Sequence, residues 1–177
     1  MILYVVRHGK TEWNLEHRCQ GISDIPLIDE GRESAKELIP LVSSLNIDVV
    51  ISSPLSRAID TAKIITDNNI PINIDDRLME RDWGMNEGMK IDEVDQIDCW
   101  DVILNTNVQG IERIQDFMKR ISEFIEDIKN RYSDKKVLVV AHSAVLRVIH
   151  YLLGTIPQDG DLTKIDIPNL RIIEYEV

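Results

Sequence analysis

The clearest pattern along the chain is a set of short, almost continuously apolar runs that alternate with longer amphipathic segments. Three runs rich in β-branched residues, Ile2–Val6, Asp48–Ile51 and Val137–Ala141, predict buried strands of a mainly parallel sheet, because strands covered on both faces lose the alternation of apolar and polar positions. Two further short strands are predicted at Ile72–Ile74 and Leu170–Val177, which would complete a sheet of five or six strands.

Segments with helical spacing of apolar residues follow these strands. We predict a helix over Asp29–Leu45, a helix with Ser53 as its N-cap and Pro54 as its first residue, and a long amphipathic helix over Ile111–Tyr132. The alternation of strands and helices predicts an α/β fold, a three-layer α/β/α sandwich with a mainly parallel central sheet. A chain of 177 residues that is 44% apolar can close one sizeable core, so we expect a single domain over residues 1–177.

The segment Gly88–Val108 has weak helical signals and many carboxylates, and we predict that it forms a solvated excursion over one edge of the sheet. These carboxylates lack the glycine-hinged loop of an EF-hand calcium site, so we expect no metal ligands there. Cys19 and Cys99 stand far apart without a CxxC pair or a neighbouring histidine cluster, which predicts neither a disulfide scaffold nor a zinc site.

The charge balance excludes several classes of protein. Twenty Lys and Arg residues against 31 Asp and Glu residues give a formal net charge of −11, and no basic run interrupts the acidic background, which excludes a general nucleic-acid binder. The composition is that of an ordinary globular protein and not of a disordered chain. No stretch reaches the roughly 20 apolar residues that a membrane span needs, so we expect a cytoplasmic protein without membrane partners.

Polar residues suited to phosphate chemistry stand where the three apolar runs end. The first run is followed by Arg7 and His8, the second leads to Arg57 in the following helical turn, and the third is followed by His142. Because ligands of open α/β sheets bind outside the carboxyl ends of the strands, we expect these side chains to share one pocket. Helix N-termini that arrive at the same edge add N–H donors, which favour a phosphate group.

Each of these residue types has a task in phosphoryl transfer. Arginine forks hold phosphate oxygens and offset the charge of the transition state. We expect the guanidinium groups to keep His8 uncharged, so that its ring nitrogen is a nucleophile. A leaving alcohol needs a proton, for which Glu80 is the preferred carboxylic acid, and Asp76, Asp82 and Glu87 are its alternatives.

Five segments together resemble the histidine phosphatase superfamily, which includes cofactor-dependent phosphoglycerate mutases and many small phosphatases. Arg7–Asn14 resembles the RHGxTxxN signature, Arg18–Leu27 resembles RxQGxxDxPL, and Ser53–Ala62 resembles SxLxRAxxTA. Leu78–Gly88 is similar to the stretch that carries the acid of the family, and Gly110–Glu112 is a weak echo of a later GES segment. The segments occur in the family order, so the resemblance is specific and places the chain in the small phosphatase branch.

The resemblance implies a phosphoglycerate mutase-like fold and a phosphomonoester hydrolase that acts on a small phosphorylated metabolite through a phosphohistidine. It implies no metal and no cofactor, and it leaves open a homodimer. The residues are assigned from their motif positions: His8 as nucleophile, Arg7, Arg57 and His142 as phosphate clamp, Glu80 as proton donor, and Asn14, Gln20 and Gly21 as substrate-side residues.

One departure from the family pattern and two alternative functions remain. The second histidine is usually followed by glycine in the family, whereas here Ser143 follows, which narrows the pocket and offers a hydroxyl to the phosphate. A non-catalytic phosphate-binding or scaffold protein is one alternative, and this departure is its support. The other alternative is a cofactor-dependent phosphoglycerate mutase, against which stand the short chain and Thr11, where mutases of the family more often have serine.

Overall fold

The computed structural model describes residues 1–94, 100–103, 107–154 and 160–177. Its sheet has five strands in the order β3-β2-β4-β1-β5. The bounds of the strands are β1 (Ile2–Arg7), β2 (Val49–Ser52), β3 (Ile72–Ile74), β4 (Lys136–Ala141) and β5 (Ile172–Glu176).

The first four strands pair in parallel, and β5 pairs antiparallel to β1 at one edge of the sheet. The parallel pairs have a register in which Arg7 lies beside Ala141 and Ser52 lies beside Val140. The carboxyl ends of β1, β2 and β4 therefore coincide at one edge of the sheet, as the sequence predicts for a mainly parallel arrangement.

Helices cover both faces of the sheet, so the predicted three-layer α/β/α fold is confirmed. Because successive side chains of a strand point to opposite faces, Val5 and Val139 face one helical layer while Val6 and Val140 face the other. The helices are α1 (Glu12–Leu15), α2 (Asp29–Lys36), α3 (Ile39–Leu45), α4 (Ser56–Ile65), α5 (Ile114–Arg131) and α6 (Ser143–Leu153).

The two helical layers are built from different parts of the chain. The side chains of α5 and α6 pack with one face of the sheet, whereas the side chains of α2, α3 and α4 pack with the other. The buried stripe of α5 consists of the residues that the sequence singled out by their spacing: Ile114, Phe117, Ile121, Phe124, Ile125 and Ile128. This layer brings the N-terminus of α6 to the same edge as the end of β1.

Two predicted helices have different bounds in the structure. The single helix predicted over Asp29–Leu45 is two helices, α2 and α3, because Pro40 stands at the start of α3 and cannot continue a preceding helix. The prediction that Ser53 caps α4 was also wrong, since Leu55 is the N-cap and the helix begins at Ser56. Ser53 is thereby left free for another contact at the edge of the sheet.

The segment predicted as a solvated excursion is only partly exposed. Asp92 and Glu93 are exposed, but Val94 and Trp100 are buried and pack with the layer of α5 and α6. The segment has too few regularly spaced apolar residues for the sequence to predict that Val94 and Trp100 are buried. Residues 95–99, which include Cys99, and residues 104–106 lie outside the described part of the chain. No helix in the described ranges is long and apolar enough to cross a membrane.

Candidate functional site

The site is built where β1, β2 and β4 end. Hydrogen bonds continue the sheet for one residue beyond the strands, since His8 N donates to Ala141 O at 3.0 Å and Ser53 N donates to Val140 O at 3.1 Å. His142 follows β4 directly and is the N-cap of α6. Three residues from distant parts of the sequence therefore lie side by side at one edge.

The two histidines and two arginines predicted for the phosphate pocket are neighbours. The ring centroids of His8 and His142 are 5.2 Å apart, and both rings are buried. Arg57 is fully buried at the start of α4, and Arg7, the last residue of β1, is half-buried. Neither guanidinium has a carboxylate of the described residues within ion-pair distance, and burial of an unpaired charge is costly, so the cluster is suited to an anion.

The arginines use their hydrogen-bond donors differently from the simple fork that we expected. Arg57 donates from Nη1 to Ser23 O at 2.6 Å and from Nη2 to Gly21 O at 2.7 Å. Arg7 donates from Nη1 to Ile167 O at 2.6 Å. Part of each guanidinium thus anchors a neighbouring loop, while Nε of each has no hydrogen-bond partner among the described residues.

The hydrogen bond of His8 leaves one ring nitrogen ready for attack. Nδ1 donates to Gly9 O at 2.7 Å, so in the neutral ring Nε2 carries a lone pair. Burial lowers the pKa of His8 well below its ordinary value, and the guanidinium groups of Arg57 and Arg7 lower it further. The expected uncharged state follows, although burial contributes more to the pKa than the arginines that we invoked.

Three buried nitrogens of the cluster lack a partner. Within the described part of the chain, the buried polar side-chain atoms without a hydrogen bond are Arg7 Nε, Arg57 Nε and His142 Nδ1. Unsatisfied buried donors are rare in native structures, because each costs about 1–3 kcal/mol. Their convergence in one cluster is what a phosphate oxyanion would satisfy.

Ser53 determines which nitrogen of His142 carries the proton. Its Oγ accepts from Leu55 N at 3.3 Å and lies 2.7 Å from His142 Nε2. The arrangement that satisfies all three groups has the Ser53 hydroxyl donating to Nε2, which leaves the proton on Nδ1. In this tautomer His142 has an N–H donor at Nδ1, the nitrogen that has no hydrogen-bond partner among the described residues.

Glu80 is the carboxylate that borders this cluster. Its Oε1 accepts from Arg81 N at 3.0 Å and its Oε2 accepts from Ala144 N at 3.2 Å, at the N-terminus of α6. Among the described residues that line the cavity, Glu80 is the only carboxylate, whereas the alternative acids Asp82 and Glu87 bond to backbone N–H groups outside it. The position favours Glu80 as the acid.

A cavity of about 260 Å³ is lined by most of the residues that the sequence singled out, but His142 is not among its described lining residues. Asn14, Gln20, Gly21 and Ser143 all line it, together with Arg7, His8, Arg57 and Glu80. The side-chain oxygens of Asn14 and Gln20 accept hydrogen bonds from Thr11, so both residues also hold the loop that follows β1.

Gly21 is required by the shape of the loop. Its φ is +52°, and a Cβ there would lie 1.9 Å from Glu87 Oε1. Gly9 makes room for a neighbouring backbone segment, because a Cβ there would lie 2.8 Å from Gly31 O.

The amino-acid sequence matches the model of the histidine phosphatase superfamily, branch 1, over residues 3–177. The chain belongs to this superfamily. A relative at the sequence level is an uncharacterized phosphatase, PhoE, of Bacillus subtilis strain 168, which is 38% identical over 153 residues and is matched over 86% of this chain and 75% of its own length. Phosphoserine phosphatase 1 of Hydrogenobacter thermophilus is 34% identical over 170 residues, 92% of this chain and 78% of the relative.

Two other similarities bear on the fold and on the alternative function. The solved structure of Bacillus stearothermophilus YhfR superposes with a TM-score of 0.86 at 32% identity and covers 99% of this chain and 91% of its own. A probable phosphoglycerate mutase, GpmB, of an Enterobacter strain is 33% identical over 151 residues, 81% of this chain and 70% of the relative. The superfamily and its fold are thus shown, and both phosphatases and mutase-like proteins are relatives.

This histidine phosphatase should lose stability in mild acid because of its two buried rings. Burial and the neighbouring arginines hold the pKa values of His8 and His142 well below the ordinary value. As the pH falls through about 6.5, the unfolded chain binds protons at both rings while the folded chain does not, so unfolding becomes more favourable. Between pH 7.5 and 5.5 each ring contributes about 1.4 kcal/mol in total, so two rings account for about 3 kcal/mol.

Urea unfolding at the two pH values measures this effect. His142→Asn should remove about half of the difference between pH 7.5 and 5.5. An equal pH dependence in the wild type and in both His142→Asn and His8→Asn would show that the rings do not remain neutral in the folded protein.

The contact between Ser53 and His142 leads to a second prediction. Ser53→Ala removes the hydroxyl that donates to Nε2, so the proton is free to move from Nδ1 and the donor to the anion is lost. We expect kcat/KM to fall about tenfold, the cost of one hydrogen bond to a charged group, and Ser53→Thr to retain activity. Nitrogen-15 NMR of the His142 ring should show Nδ1–H in the wild type; the other tautomer there would contradict the assignment.

The sequence missed two polar residues of the site. Ser53 was assigned to a helix cap, although the SxLxRA pattern places it directly after a strand that ends at the same edge as His142. Arg147 lies one turn into α6, lines the cavity and donates from Nε to Ile165 O at 2.9 Å. The sequence could have indicated Arg147, because it lies five residues after His142 and therefore little more than one helical turn from the end of β4.

No group of three or more His, Cys, Asp or Glu side chains in the described ranges is arranged to hold a metal ion.

Proposed function

We propose that this protein hydrolyses small phosphate monoesters in two steps through a phosphohistidine at His8. The observation that carries the proposal is a cluster of two imidazoles and two guanidiniums at one edge of the sheet. Three of its buried nitrogens lack a hydrogen-bond partner among the described residues, and Arg7, His8 and Arg57 line one cavity, with the His142 ring next to His8. Relatives described as phosphatases, one of them a phosphoserine phosphatase, support hydrolysis of a small phosphorylated metabolite.

In the first step, His8 Nε2 attacks phosphorus in line with the ester oxygen. A P–N bond forms as the P–O bond to the alcohol breaks, and Glu80 delivers its proton to the departing alkoxide. Arg7, Arg57 and His142 donate hydrogen bonds to the other phosphate oxygens, whose charge is spread during transfer. The free alcohol leaves, and the phosphoryl group remains on His8.

The second step returns the enzyme to its starting state. Glu80, now a carboxylate, accepts a proton from a water molecule whose oxygen attacks phosphorus. The P–N bond breaks, His8 regains its lone pair, and inorganic phosphate is released with Glu80 again protonated. The arginines supply the positive charge that a metal ion supplies in other phosphatases, so the proposal includes neither metal nor cofactor.

A panel of phosphate monoesters assayed for phosphate release in the presence of EDTA tests the reaction and its independence of metals. We expect small alkyl and aryl esters to be hydrolysed with no loss of rate on chelation. The absence of phosphate release from every ester would contradict hydrolysis and favour a binding protein. Activity that is lost with EDTA and restored by a divalent cation would contradict the metal-free mechanism.

A mutase differs in returning the phosphoryl group to a sugar acid. A time course with 3-phosphoglycerate and a trace of bisphosphoglycerate separates the two reactions, because the proposal predicts free phosphate. Isomer formation without free phosphate would reject the phosphatase and establish the mutase.

A further inference from the structure

Four arginines of the described chain line the cavity, and the proposed reaction uses only two of them. Arg7 and Arg57 surround the site of the transferred phosphate. Arg18 is paired with Glu16 and also donates to Gly88 O at 2.6 Å. Arg147 is the fourth, and its charge has no assigned task.

Arg147 is held in place without a contact ion pair to any described residue. Its Nε donates to Ile165 O at 2.9 Å, and its guanidinium carbon lies 5.1 Å from the ring centroid of Trp100. No carboxylate of the described chain lies within 4 Å of this guanidinium, and neither Nη group has a hydrogen-bond partner there. Arg147 therefore brings to the cavity lining a guanidinium without a contact ion pair among the described residues, which Glu80, Asp166 and Asp161 attract only from a greater distance.

Arg147 lies on the side of the cavity where the proposed reaction releases the alcohol. Ser143 and Ala144, at the start of α6, line the cavity next to the carboxylate of Glu80. Arg147 follows Ser143 by four residues, which places it about 6 Å further along the helix axis. A leaving alcohol that is protonated by Glu80 and carries a charged group a few bonds away can bring that group to Arg147.

The walls between these two ends suit a short carbon skeleton. Trp83, Trp100 and Ile91 line the same cavity and supply apolar contact, and the volume of about 260 Å³ has room for a phosphate together with a small carbon skeleton. The Arg147 guanidinium is already held by Trp100 and Ile165 O, so it loses little conformational entropy when it binds a ligand. Its planar shape lets it donate two hydrogen bonds to two oxygens of a carboxylate or phosphate.

We propose that Arg147 forms a second anion subsite, which selects phosphate monoesters whose alcohol carries a carboxylate or a second phosphate close to the ester. This inference rests on the proposed function and names its substrate class. The protein has a formal net charge of −11, which repels a doubly anionic substrate. The positive charge of Arg147 beside the cavity would offset this repulsion locally.

Matched esters test the subsite. 3-Phosphoglycerate and glycerol 3-phosphate differ in a carboxylate, and propane-1,3-diol bisphosphate and 3-hydroxypropyl phosphate differ in a second phosphate. We expect the wild type to favour at least one anionic ester over its neutral partner by about 10- to 100-fold in kcat/KM, the worth of a charge-assisted contact. The pair that shows the preference identifies the second anion.

Substitution of the arginine locates the preference. Arg147→Met should abolish it through a higher KM for the anionic ester, while the neutral ester keeps its kcat/KM within about twofold. Arg147→Gln, which can still donate to Ile165 O, serves if the methionine variant does not fold. Arg131→Met, on the exposed end of α5, removes the same charge from the distant surface and should leave the preference intact.

Three results would overturn the subsite: no preference in the wild type, an equal loss for anionic and neutral esters in the Arg147 variants, or the same change in Arg131→Met. If the wild type releases no phosphate at all, calorimetry of 3-phosphoglycerate and glycerol 3-phosphate binding decides the question separately. Tighter binding of 3-phosphoglycerate that depends on Arg147 would support the subsite while the hydrolase reaction fails.

Discussion

Replacing His8 by alanine is expected to lower kcat for phosphate esters by at least about 10,000-fold, because the attacking ring nitrogen is lost. Cys19 also lines the cavity, but burial raises the pKa of its thiol to about 12, so the thiol is a poor nucleophile at neutral pH. The small side chain leaves Arg7, Arg57 and His142 in place, so phosphate binding should persist. Steady-state phosphate release and calorimetric phosphate binding measure the two quantities.

His17→Asn is the matched control for this loss. His17 is exposed, does not line the cavity and has a φ of +53°, a conformation that asparagine adopts readily. Its activity should remain within about twofold of the wild type. A His8→Ala variant with more than about one hundredth of wild-type kcat would mean that water attacks phosphorus directly.

Replacing Glu80 by glutamine should have an effect that depends on the leaving group. Glutamine has the same shape but cannot deliver a proton, so kcat for an alkyl phosphate should fall about 100- to 10,000-fold. Formation of the phosphoenzyme from 4-nitrophenyl phosphate should be far less affected, because nitrophenolate leaves without a proton. Since Glu80 also activates water, this ester should give a burst of nitrophenol followed by slow turnover.

Asp82→Asn tests the same chemistry at an alternative acid. Asp82 accepts a hydrogen bond from Gly84 N and does not line the cavity, so activity should stay within about threefold of the wild type. Equal losses on alkyl and nitrophenyl esters in Glu80→Gln, without a burst, would assign Glu80 a structural role and transfer the proton donation to another group.

Much of the fold was predictable because its strands are short apolar runs with polar residues at their carboxyl ends. Once β1 and β4 are recognised as parallel strands, the register brings Arg7 beside Ala141, and the neighbourhood of His8 and His142 follows. The break between α2 and α3 could also have been predicted, because Pro40 disfavours a continuous helix. We predicted one helix because apolar residues have helical spacing on both sides of Pro40.

The hydrogen-bond partners inside the site were not predictable. Arg57 donates to Gly21 and Ser23 carbonyls, more than thirty positions away, and this pairing depends on how the intervening loop folds. Ser53 and His142 are 89 positions apart, and nothing in their spacing indicates a contact. Residue types indicate which chemistry a site can perform. Which acceptor each N–H group binds depends on how the loops fold, and no periodic pattern in the sequence shows this.

In the proposed reaction the phosphoryl group forms a covalent bond to Nε2 of His8. Rapid quench of the wild type with a labelled aryl phosphate, followed by peptide mass spectrometry under alkaline conditions, tests whether this bond forms. We expect an acid-labile label on His8 that forms within one turnover and is absent from His8→Ala. Phosphate release without labelled protein, or a label on any other residue, would contradict the phosphohistidine.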